Sequence, residues 1–219
     1  MKKYLIIVLL CLTGSLFAQS IEQYTILLSG DDGNHQLKMQ LRHSDTITSM
    51  EWLYDDLVIE RANLFDKTTL LNAVYYGSNG QPHTEVSLNY LDGLINFTGR
   101  NNASLKLKPN TLDGGTLLYV LNYLYPNENE QLVFNVIGGG AMIFEMHVER
   151  VGIENIVINN ISYEAYKYEM KIKNKLISAL LPKSLYYWYS VDNHRFLKFE
   201  GPNIKGNKVT MELIDYQEF

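Results

Sequence analysis

Alternation of apolar and polar residues with a period of two runs through most of the chain after residue 20, and it constrains the fold more than any other feature. Leu37, Met39 and Leu41 interleave with polar residues, which is the pattern of a half-buried strand. The same alternation recurs at residues 85–90, 168–173 and 209–213. Between two such runs, Asp92-Gly93 predicts a type I′ hairpin turn, because both residues tolerate positive φ. Consecutive strands joined by short turns predict an antiparallel meander.

One segment near the middle of the chain has helical periodicity instead. Its apolar residues are spaced i, i+3, i+4 and i+7, and they are Leu117, Val120, Leu121 and Leu124. Thr111 or Asp113 can cap the start of this helix, and Pro126 can end it. The spacing therefore predicts one amphipathic helix near residues 112–125.

These two patterns together predict the fold class. The chain is expected to be mainly β, with residues 20–219 forming a single domain. One sheet has an apolar face to bury, and with one good helix available the sheet must curve around it to exclude water. We therefore expect a curved antiparallel sheet that forms a half-barrel or open barrel around the inserted helix, with room for an apolar cavity between the two.

The first nineteen residues have the layout of a secretory signal peptide. Lys2 and Lys3 precede an apolar run at residues 4–12, and small residues follow before Ser20. The run is too short to span a bilayer, which takes about 20 apolar residues. Residues 1–19 are therefore predicted to be cleaved, which leaves a periplasmic or secreted chain with no transmembrane segment. Lipoprotein anchoring through Cys11 is not expected, because bulky residues rather than a small one precede it.

Composition excludes several functions. The chain carries 19 Lys and Arg residues against 24 Asp and Glu residues, a formal net charge of −5. A basic stripe is the usual footprint of nucleic-acid binding, so no nucleic-acid partner is expected. The single cysteine lies within the predicted signal peptide, so the mature chain would have neither a disulfide nor a thiol nucleophile. No motif calls for a cofactor.

Four segments of the second half together resemble a known family. They are residues 111–121, 131–136, 188–202 and 209–214. The third contains the pattern Trp188-x-Ser190-x-Asp192 near the C-terminus. Over residues 100–219 the chain resembles an uncharacterised family of bacterial envelope proteins, a domain of unknown function related in fold to periplasmic lipoprotein-sorting carriers. The resemblance implies a curved sheet around a helix and, by analogy of fold, a hydrophobic ligand; it implies no catalytic residue.

Two histidine-acid pairs raise the question of a metal site. His83 with Glu85, and His147 with Glu149, each lie two residues apart on one face of a strand. The fixed ligand spacing of a zinc site is absent, so these residues are interpreted as polar positions facing solvent. No metal site is predicted.

A hydrolase is a further alternative that the sequence does not favour. Ser190, Asp192 and His194 are close in the chain, but the strained nucleophile elbow of the G-x-S-x-G type is missing. Ser190 and Asp192 fit better as a strand that enters a turn, where side-chain oxygens cap backbone amides. Gly138-Gly139-Gly140 lacks the Lys-Ser/Thr of a phosphate loop, so it is interpreted as a hairpin loop.

The aromatic run Tyr186–Tyr189 is the least ordinary feature of the chain. Such side chains line apolar pockets, and they also fill cores. We predict a non-enzymatic envelope protein that binds a lipid or another hydrophobic small molecule. The predicted lining residues are Leu117, Leu121, Leu124, Tyr187 and Trp188. The alternative is a protein-interaction or assembly factor that recruits an envelope protein by strand addition at an open sheet edge.

Overall fold

The computed structural model describes residues 20–100, 102–124, 130–138, 141–173, 184–202 and 207–219. The predicted signal peptide, the helix stop at Pro126 and the glycines at 139 and 140 lie outside these ranges. Within them the chain forms fifteen strands in one sheet and one helix. In the described residues, no helix combines the length and the apolar character needed to cross a membrane.

The two edge strands are the shortest of the sheet, with four residues in β8 and three in β9. Those of the first half are β1 (Ser20–Gly30), β2 (Gly33–His43), β3 (Ile47–Tyr54), β4 (Leu57–Phe65), β5 (Thr69–Tyr76), β6 (Pro82–Asn89), β7 (Leu94–Gly99) and β8 (Ala103–Lys106). After them come β9 (Thr111–Asp113), the helix α1 (Gly114–Val120), β10 (Gln131–Gly138), β11 (Met142–Ile158), β12 (Ile161–Ile172), β13 (Leu185–Ser190), β14 (Phe196–Pro202) and β15 (Lys208–Glu218).

The first strand, β1, and the last strand, β15, lie side by side at the centre of the sheet. β1 pairs with β2 on one side and with the C-terminal β15 on the other, and from there the strands run outward in two wings. One wing ends at β8 and the other at β9, which pairs with β10 in parallel; the other pairs are antiparallel. Residues 107–110 join these two edges, and β9 packs against β5 across the concave side. The prediction of a mainly β, open curved sheet around a helix is confirmed.

Local turn chemistry explains why neighbouring strands pair. Both central residues have positive φ at Asp55-Asp56, Asp66-Lys67 and Asn159-Asn160, as type I′ turns require. The type I′ turn predicted at Asp92-Gly93 is wrong in detail, although the hairpin exists. Its loop spans residues 90–93, and Gly93 has the positive φ of 67°. The Asn89 side chain accepts bonds from two amides of this loop, which favours the longer turn.

Helix α1 is shorter than the predicted segment near 112–125. Leu112 belongs to β9, and the helix begins after Asp113, whose side chain accepts a bond of 2.8 Å from the Thr116 amide in a capping box. After Val120 the chain tightens into a turn, where the amide of Tyr123 bonds to the carbonyl of Val120. The five residues from Thr116 to Val120 are all buried, so the whole circumference of the helix is covered.

The main core fills the space between α1 and the concave face of the sheet. Leu117 and Leu121 are 3% and 1% exposed, and they pack among apolar residues from both wings. From β13, the buried Tyr189 hydroxyl donates a bond of 2.9 Å to the Leu118 carbonyl. Carbonyls in the last turn of a helix have no intrahelical partner, so this bond satisfies the helix and fixes it to the sheet.

A second, smaller core lies on the opposite face of the sheet. It contains Ile158, Ala165, Trp188 and Leu197, and partly buried residues from β11, β12, β13 and β15 pack against it. β11 is seventeen residues long, but β10 pairs with it only up to Glu149. The far end of the β11–β12 ribbon reaches β15, where Asn159 donates to the carbonyl of Ile214. Residues 150–158 of β11 therefore have an edge that no described strand covers.

Candidate ligand-binding site

A cavity of about 640 Å³ lies where the two wings of the sheet face each other at the start of α1. Its lining residues come from β4 to β7 on one wing, from the end of β10 on the other, and from the first turn of the helix. They are Glu60, Tyr75, His83, Thr84, Val86, Phe97, Arg100, Gly114, Gly115, Ile137, Gly138 and Ala141. Its volume falls in the range of about 300–1,000 Å³ that is usual for small-molecule sites.

The inner wall of this cavity is apolar and rigid. Val86, Phe97 and Ile137 are 1%, 3% and 6% exposed, and each belongs to a strand of the main core. Tyr75 and Ala141 add partly buried apolar surface. Fully buried strand residues hold their rotamers by packing, so this wall is preformed rather than induced by a ligand.

Two of the lining residues, His83 and Arg100, are polar and exposed to solvent. Arg100 Nη1 lies 3.4 Å from His83 Nε2. His83 Nδ1 lies 3.0 Å from the Thr84 hydroxyl, and the Arg100 amide donates a bond of 3.0 Å to the His83 carbonyl. A guanidinium can only donate, so Arg100 is the donor in its contact with His83. Backbone and side-chain contacts thus place a positive charge at the cavity mouth.

A pair of carboxyl groups lies beside the start of the helix, where Glu60, which lines the cavity, meets the buried Asp113. Asp113 is completely buried, and its Oδ1 accepts the Thr116 amide. Its Oδ2 and the Oε1 of Glu60 are both buried with no conventional donor near them. One proton shared between the two carboxyl groups satisfies both atoms, because a protonated carboxyl is a donor. The pair therefore carries a single negative charge.

The environment of the pair favours the proton on Glu60. Burial, the nearby charge of Asp113 and the hydrogen bond to Asp113 together raise the pKa of Glu60 well above its usual value of 4.5. Burial also raises the pKa of Asp113, but the Thr116 and Gly115 amides oppose this by stabilising its carboxylate. Burial raises the pKa of the adjacent Tyr75 hydroxyl as well, and the Asp113 and Glu60 carboxyls add to that increase. Of the two carboxyl groups, Glu60 therefore has the stronger tendency to hold the shared proton.

Gly115 makes room for this pair. A Cβ added there would lie 2.7 Å from Oε2 and 2.8 Å from Cδ of Glu60, which is closer than atoms can approach without movement. A Cβ at the neighbouring Gly114 would meet nothing within 4 Å. Close approach of the Glu60 carboxyl, rather than backbone conformation, is the physical reason for glycine at position 115.

The residues predicted from the sequence to line a site lie elsewhere. Leu117 and Leu121 are buried in the main core, Leu124 is half-buried against it, and Tyr187 faces the same core. Trp188 lies on the opposite face of the sheet, in the smaller core, where its indole nitrogen donates a bond of 3.0 Å to Glu154. The cavity is lined by other residues. The structure therefore brings the leucines and Tyr187 into one core but separates Trp188 from them.

Sequence reasoning overlooked Glu60 and Arg100 as site residues, and it assigned Asp113 only to helix capping. Glu60 and Arg100 are polar residues among others in the sequence, and nothing in their spacing relates them. One signal was available: two glycines in the first turn of a helix are costly, about 1 kcal/mol each relative to alanine. Such a cost suggests that another group approaches closely at that turn.

The other candidate constellations do not converge on this cavity. Of the histidines considered for a metal site or a hydrolase, His83 lines the cavity, His147 contacts Glu145 at 3.2 Å, and His194 stacks on Tyr166. The Ser190 hydroxyl accepts the Asp192 amide at 3.2 Å, which is the turn predicted for this segment. No three His, Cys, Asp or Glu side chains of the described residues are grouped as a metal site would require.

A hydroxyl-imidazole-carboxylate chain does exist at the centre of the sheet. His43 Nδ1 lies 3.0 Å from the Thr48 hydroxyl, and His43 Nε2 lies 2.9 Å from Oε1 of Glu22. Tyr24 donates to the other carboxylate oxygen at 2.9 Å. Thr48 is 1% exposed, so a substrate has no access to its hydroxyl. The chain satisfies buried polar groups between β1, β2 and β3.

Comparisons with known proteins identify the fold. No protein-family model and no curated protein matches the chain. A β-barrel-like protein of the domain of unknown function DUF1849 from Brucella abortus is 8% identical, with 93% of this chain and 98% of that one covered and a TM-score of 0.51. This match shows the fold alone, and it confirms the structural resemblance to a bacterial domain of unknown function.

Two more distant structures resemble the chain over a similar length. The hypothetical lipoprotein YmcC from Escherichia coli is 11% identical, covers 90% of this chain and 84% of its own, and has a TM-score of 0.40. A LolA superfamily protein from Nitrosomonas europaea is 8% identical, covers 91% and 85%, and has a TM-score of 0.27. The conclusion about fold depends on the Brucella protein and not on these two.

Alanine substitutions at Gly114 and Gly115 of α1 separate the effect of the Glu60–Asp113 carboxyl pair from the effect of helix propensity. We expect Gly114→Ala to stabilise the protein by up to about 1 kcal/mol, because alanine is the better helix former and has space. Gly115→Ala should instead lower the free energy of unfolding by about 1–3 kcal/mol, because displacing Glu60 leaves a buried carboxylate oxygen unsatisfied. Urea unfolding of both variants measures this. If both alanine variants were stabilised equally, the close approach of the Glu60 carboxyl to Gly115 would be contradicted.

The shared proton also predicts how stability depends on pH. The pKa of Glu60 is higher in the folded state than in the unfolded state, so the folded state binds this proton more tightly. The contribution of Glu60 to the free energy of unfolding therefore decreases as pH rises from about 4.5 through the folded-state pKa. The decrease is at most about 1.4 kcal/mol per pH unit. Glu60→Gln keeps a donor to Asp113 and cannot ionise. We therefore expect the stability of this variant relative to the wild type to increase from pH 5 to pH 8 in urea unfolding.

Glu169→Gln is the control for this measurement. Burial acts to raise the pKa of Glu169, but hydrogen bonds from Lys171 and Ser184 outweigh it and leave the pKa below 4.5. Its stabilisation is therefore complete above about pH 5, and the difference between Glu169→Gln and the wild type should stay constant from pH 5 to pH 8. A constant difference for Glu60→Gln as well would show that Glu60 is ionised in the folded state.

Proposed function

We propose that this chain is an exported, non-enzymatic protein of the bacterial cell envelope that binds a lipid or another hydrophobic small molecule. The ligand site is the 640 Å³ cavity between the start of α1 and the concave face of the sheet. The observation that carries the proposal is a preformed apolar wall, formed by Val86, Phe97 and Ile137, in a cavity whose lining also includes solvent-exposed residues.

Physical chemistry supports an apolar ligand in this cavity. Each buried methylene contributes about 0.8 kcal/mol, so an acyl chain can bind by burial with few specific contacts. The inner wall offers surface of this kind, while polar side chains stand at the mouth. Export is supported by the signal-like residues 1–19, since envelope lipids are met in the periplasm or outside the cell.

Filling the cavity tests this function. Thr84 lines the cavity from β6, and tryptophan is well accommodated in strands, so Thr84→Trp should occupy ligand volume without unfolding the sheet. We expect at least a tenfold loss of binding of N-phenyl-1-naphthylamine, measured by fluorescence, and loss of lipid from the purified protein, measured by extraction and mass spectrometry.

Ser87→Trp on the same strand is the matched control. Ser87 is exposed on the other face of the sheet, so this variant should bind the probe as the wild type does. Circular dichroism melting of both variants separates blocked binding from unfolding. A wild-type protein that copurifies with no lipid and binds no apolar probe would overturn the proposal, as would a folded Thr84→Trp variant with unchanged binding.

A second candidate function is recruitment of a partner by strand addition, and one observation favours it. Residues 150–158 of β11 extend beyond β10, and this stretch carries three large exposed apolar side chains. Val151, Ile153 and Val157 are 45%, 53% and 67% exposed. Ile153 and Val157 lie on one face of the strand, whereas Val151 occupies a β-bulge between Arg150 and Gly152. An extended segment with alternating apolar residues that pairs along the open edge would complete the ladder and cover Ile153 and Val157.

Disruption of the edge tests strand addition. Ile153→Lys puts a charge on the exposed face, which natural sheets use to block edge pairing. Ser87→Lys is the control, because it adds the same charge at an exposed residue of β6, a strand that is paired along both edges. Amide hydrogen exchange of residues 150–158 is the readout. Slow amide exchange in the wild type that becomes faster on dilution, or in the Ile153→Lys variant, supports pairing with another chain. Fast exchange at all concentrations, and in the presence of envelope extract, contradicts it.

A further inference from the structure

The charges around the cavity are separated along its length, and this separation bears on which ligands fit. Arg100 stands exposed at the mouth beside His83. Glu60 lines the cavity beside the start of α1 and pairs with Asp113, which is buried and is not itself a lining residue. The proton that the two carboxyl groups share leaves one negative charge next to the cavity. The cavity therefore has a positive group among its exposed lining residues, a negatively charged pair beside the helix, and apolar surface on Val86, Phe97 and Ile137.

We propose that the ligand is a single-chain amphiphile with an anionic head, which enters tail first and places its head group on Arg100. This inference deepens the proposed function of the same cavity. A carboxylate or phosphate head would be repelled by the buried carboxyl pair, whereas an uncharged tail meets Val86, Phe97 and Ile137. The polarity of the cavity therefore sets the orientation of the ligand as well as its charge.

The geometry of Arg100 suits this role. Its backbone amide is fixed to the His83 carbonyl at 3.0 Å, and its Nη1 is directed at His83 Nε2, so both ends of the residue are positioned by β6. Contact with the imidazole uses one of the five guanidinium donors. The remaining donors can form the paired, parallel hydrogen bonds with which arginine binds carboxylate and phosphate. Within the described residues its side chain contacts His83 rather than a carboxylate, so the charge is available to a ligand.

Head-group specificity can be measured by displacement of bound N-phenyl-1-naphthylamine at pH 8. The competitors are decanoate, decanol and decylamine, which share a chain length and differ in charge. We expect decanoate to displace the probe at about fivefold lower concentration than decanol, with decylamine weakest. Arg100→Gln should remove the advantage of decanoate and leave decanol unchanged, while Arg100→Lys should keep part of it, since lysine retains the charge without the paired donors.

Lys106→Gln is the matched control, because it removes the same charge at an exposed residue of β8 outside the cavity lining. It should leave the order of the three competitors unchanged. If Lys106→Gln weakens decanoate as much as Arg100→Gln does, the effect is one of net charge and the inference is wrong. Inorganic phosphate at the same concentrations should not displace the probe; displacement by phosphate as strong as by decanoate would make Arg100 a simple anion site and also overturn it.

The results separate this inference from the function on which it rests. If neither the probe nor decanol binds, the cavity does not hold hydrophobic ligands and the proposed function fails. If both bind but decanoate has no advantage, or Arg100→Gln has no effect on it, the head-group inference alone fails. Preferential binding of decylamine that is lost in Glu60→Gln would place a cationic head at the carboxyl pair and reverse the proposed orientation.

Discussion

The structure depends on covering the concave apolar face of one large sheet. Fifteen strands in a single layer present this face to solvent unless something fills it, and a seven-residue helix with five consecutive buried residues does so. A helix this short has little stability of its own, so packing must hold it. The Tyr189 hydroxyl supplies the needed anchor by donating to the Leu118 carbonyl across the core. The direction of the curve, the position of the helix and the space left beside it all follow from this requirement.

The cavity is what remains where the helix starts. Asp113 ends β9 and caps α1, so it must be buried at the junction of strand and helix, and a lone buried carboxylate there would be costly. Glu60 from the facing wing relieves that cost by sharing a proton, and Gly115 provides the space for its approach. The same arrangement leaves one negative charge beside an apolar wall. The charge beside the cavity and the stability of the fold are thereby connected through one pair of residues.

The fold could be predicted further than the site. Alternation in the strands and the leucine stripe of α1 depend on local periodicity, and both agree with the structure, as does burial of Leu117 and Leu121. The end of the helix and the loop at residues 90–93 were harder to predict from the sequence. They depend on i+3 hydrogen bonds around Val120 and on bonds to the Asn89 side chain, respectively. Trp188 shows the limit most clearly: alternation places it opposite Tyr187, but only the folded ribbon of β11 and β12 reveals that the outer face has a core of its own.

The amino-acid sequence was enough to establish the periodicity of the strands, the presence of an apolar helix in the middle of the chain, the acidic balance and the signal-like residues 1–19. Each of these is a property of composition or of residues close together along the chain, whereas burial of the helix on all sides is a property of the fold. The tertiary structure decided which residues meet. Glu60 and Asp113 are fifty-three residues apart in the sequence. They share a proton only because β4 and β9 belong to opposite wings that curve toward each other. His83 and Arg100 become a positive mouth only through the pairing of β6 with β7. Contacts between distant segments are set by curvature and register, and no local pattern encodes them.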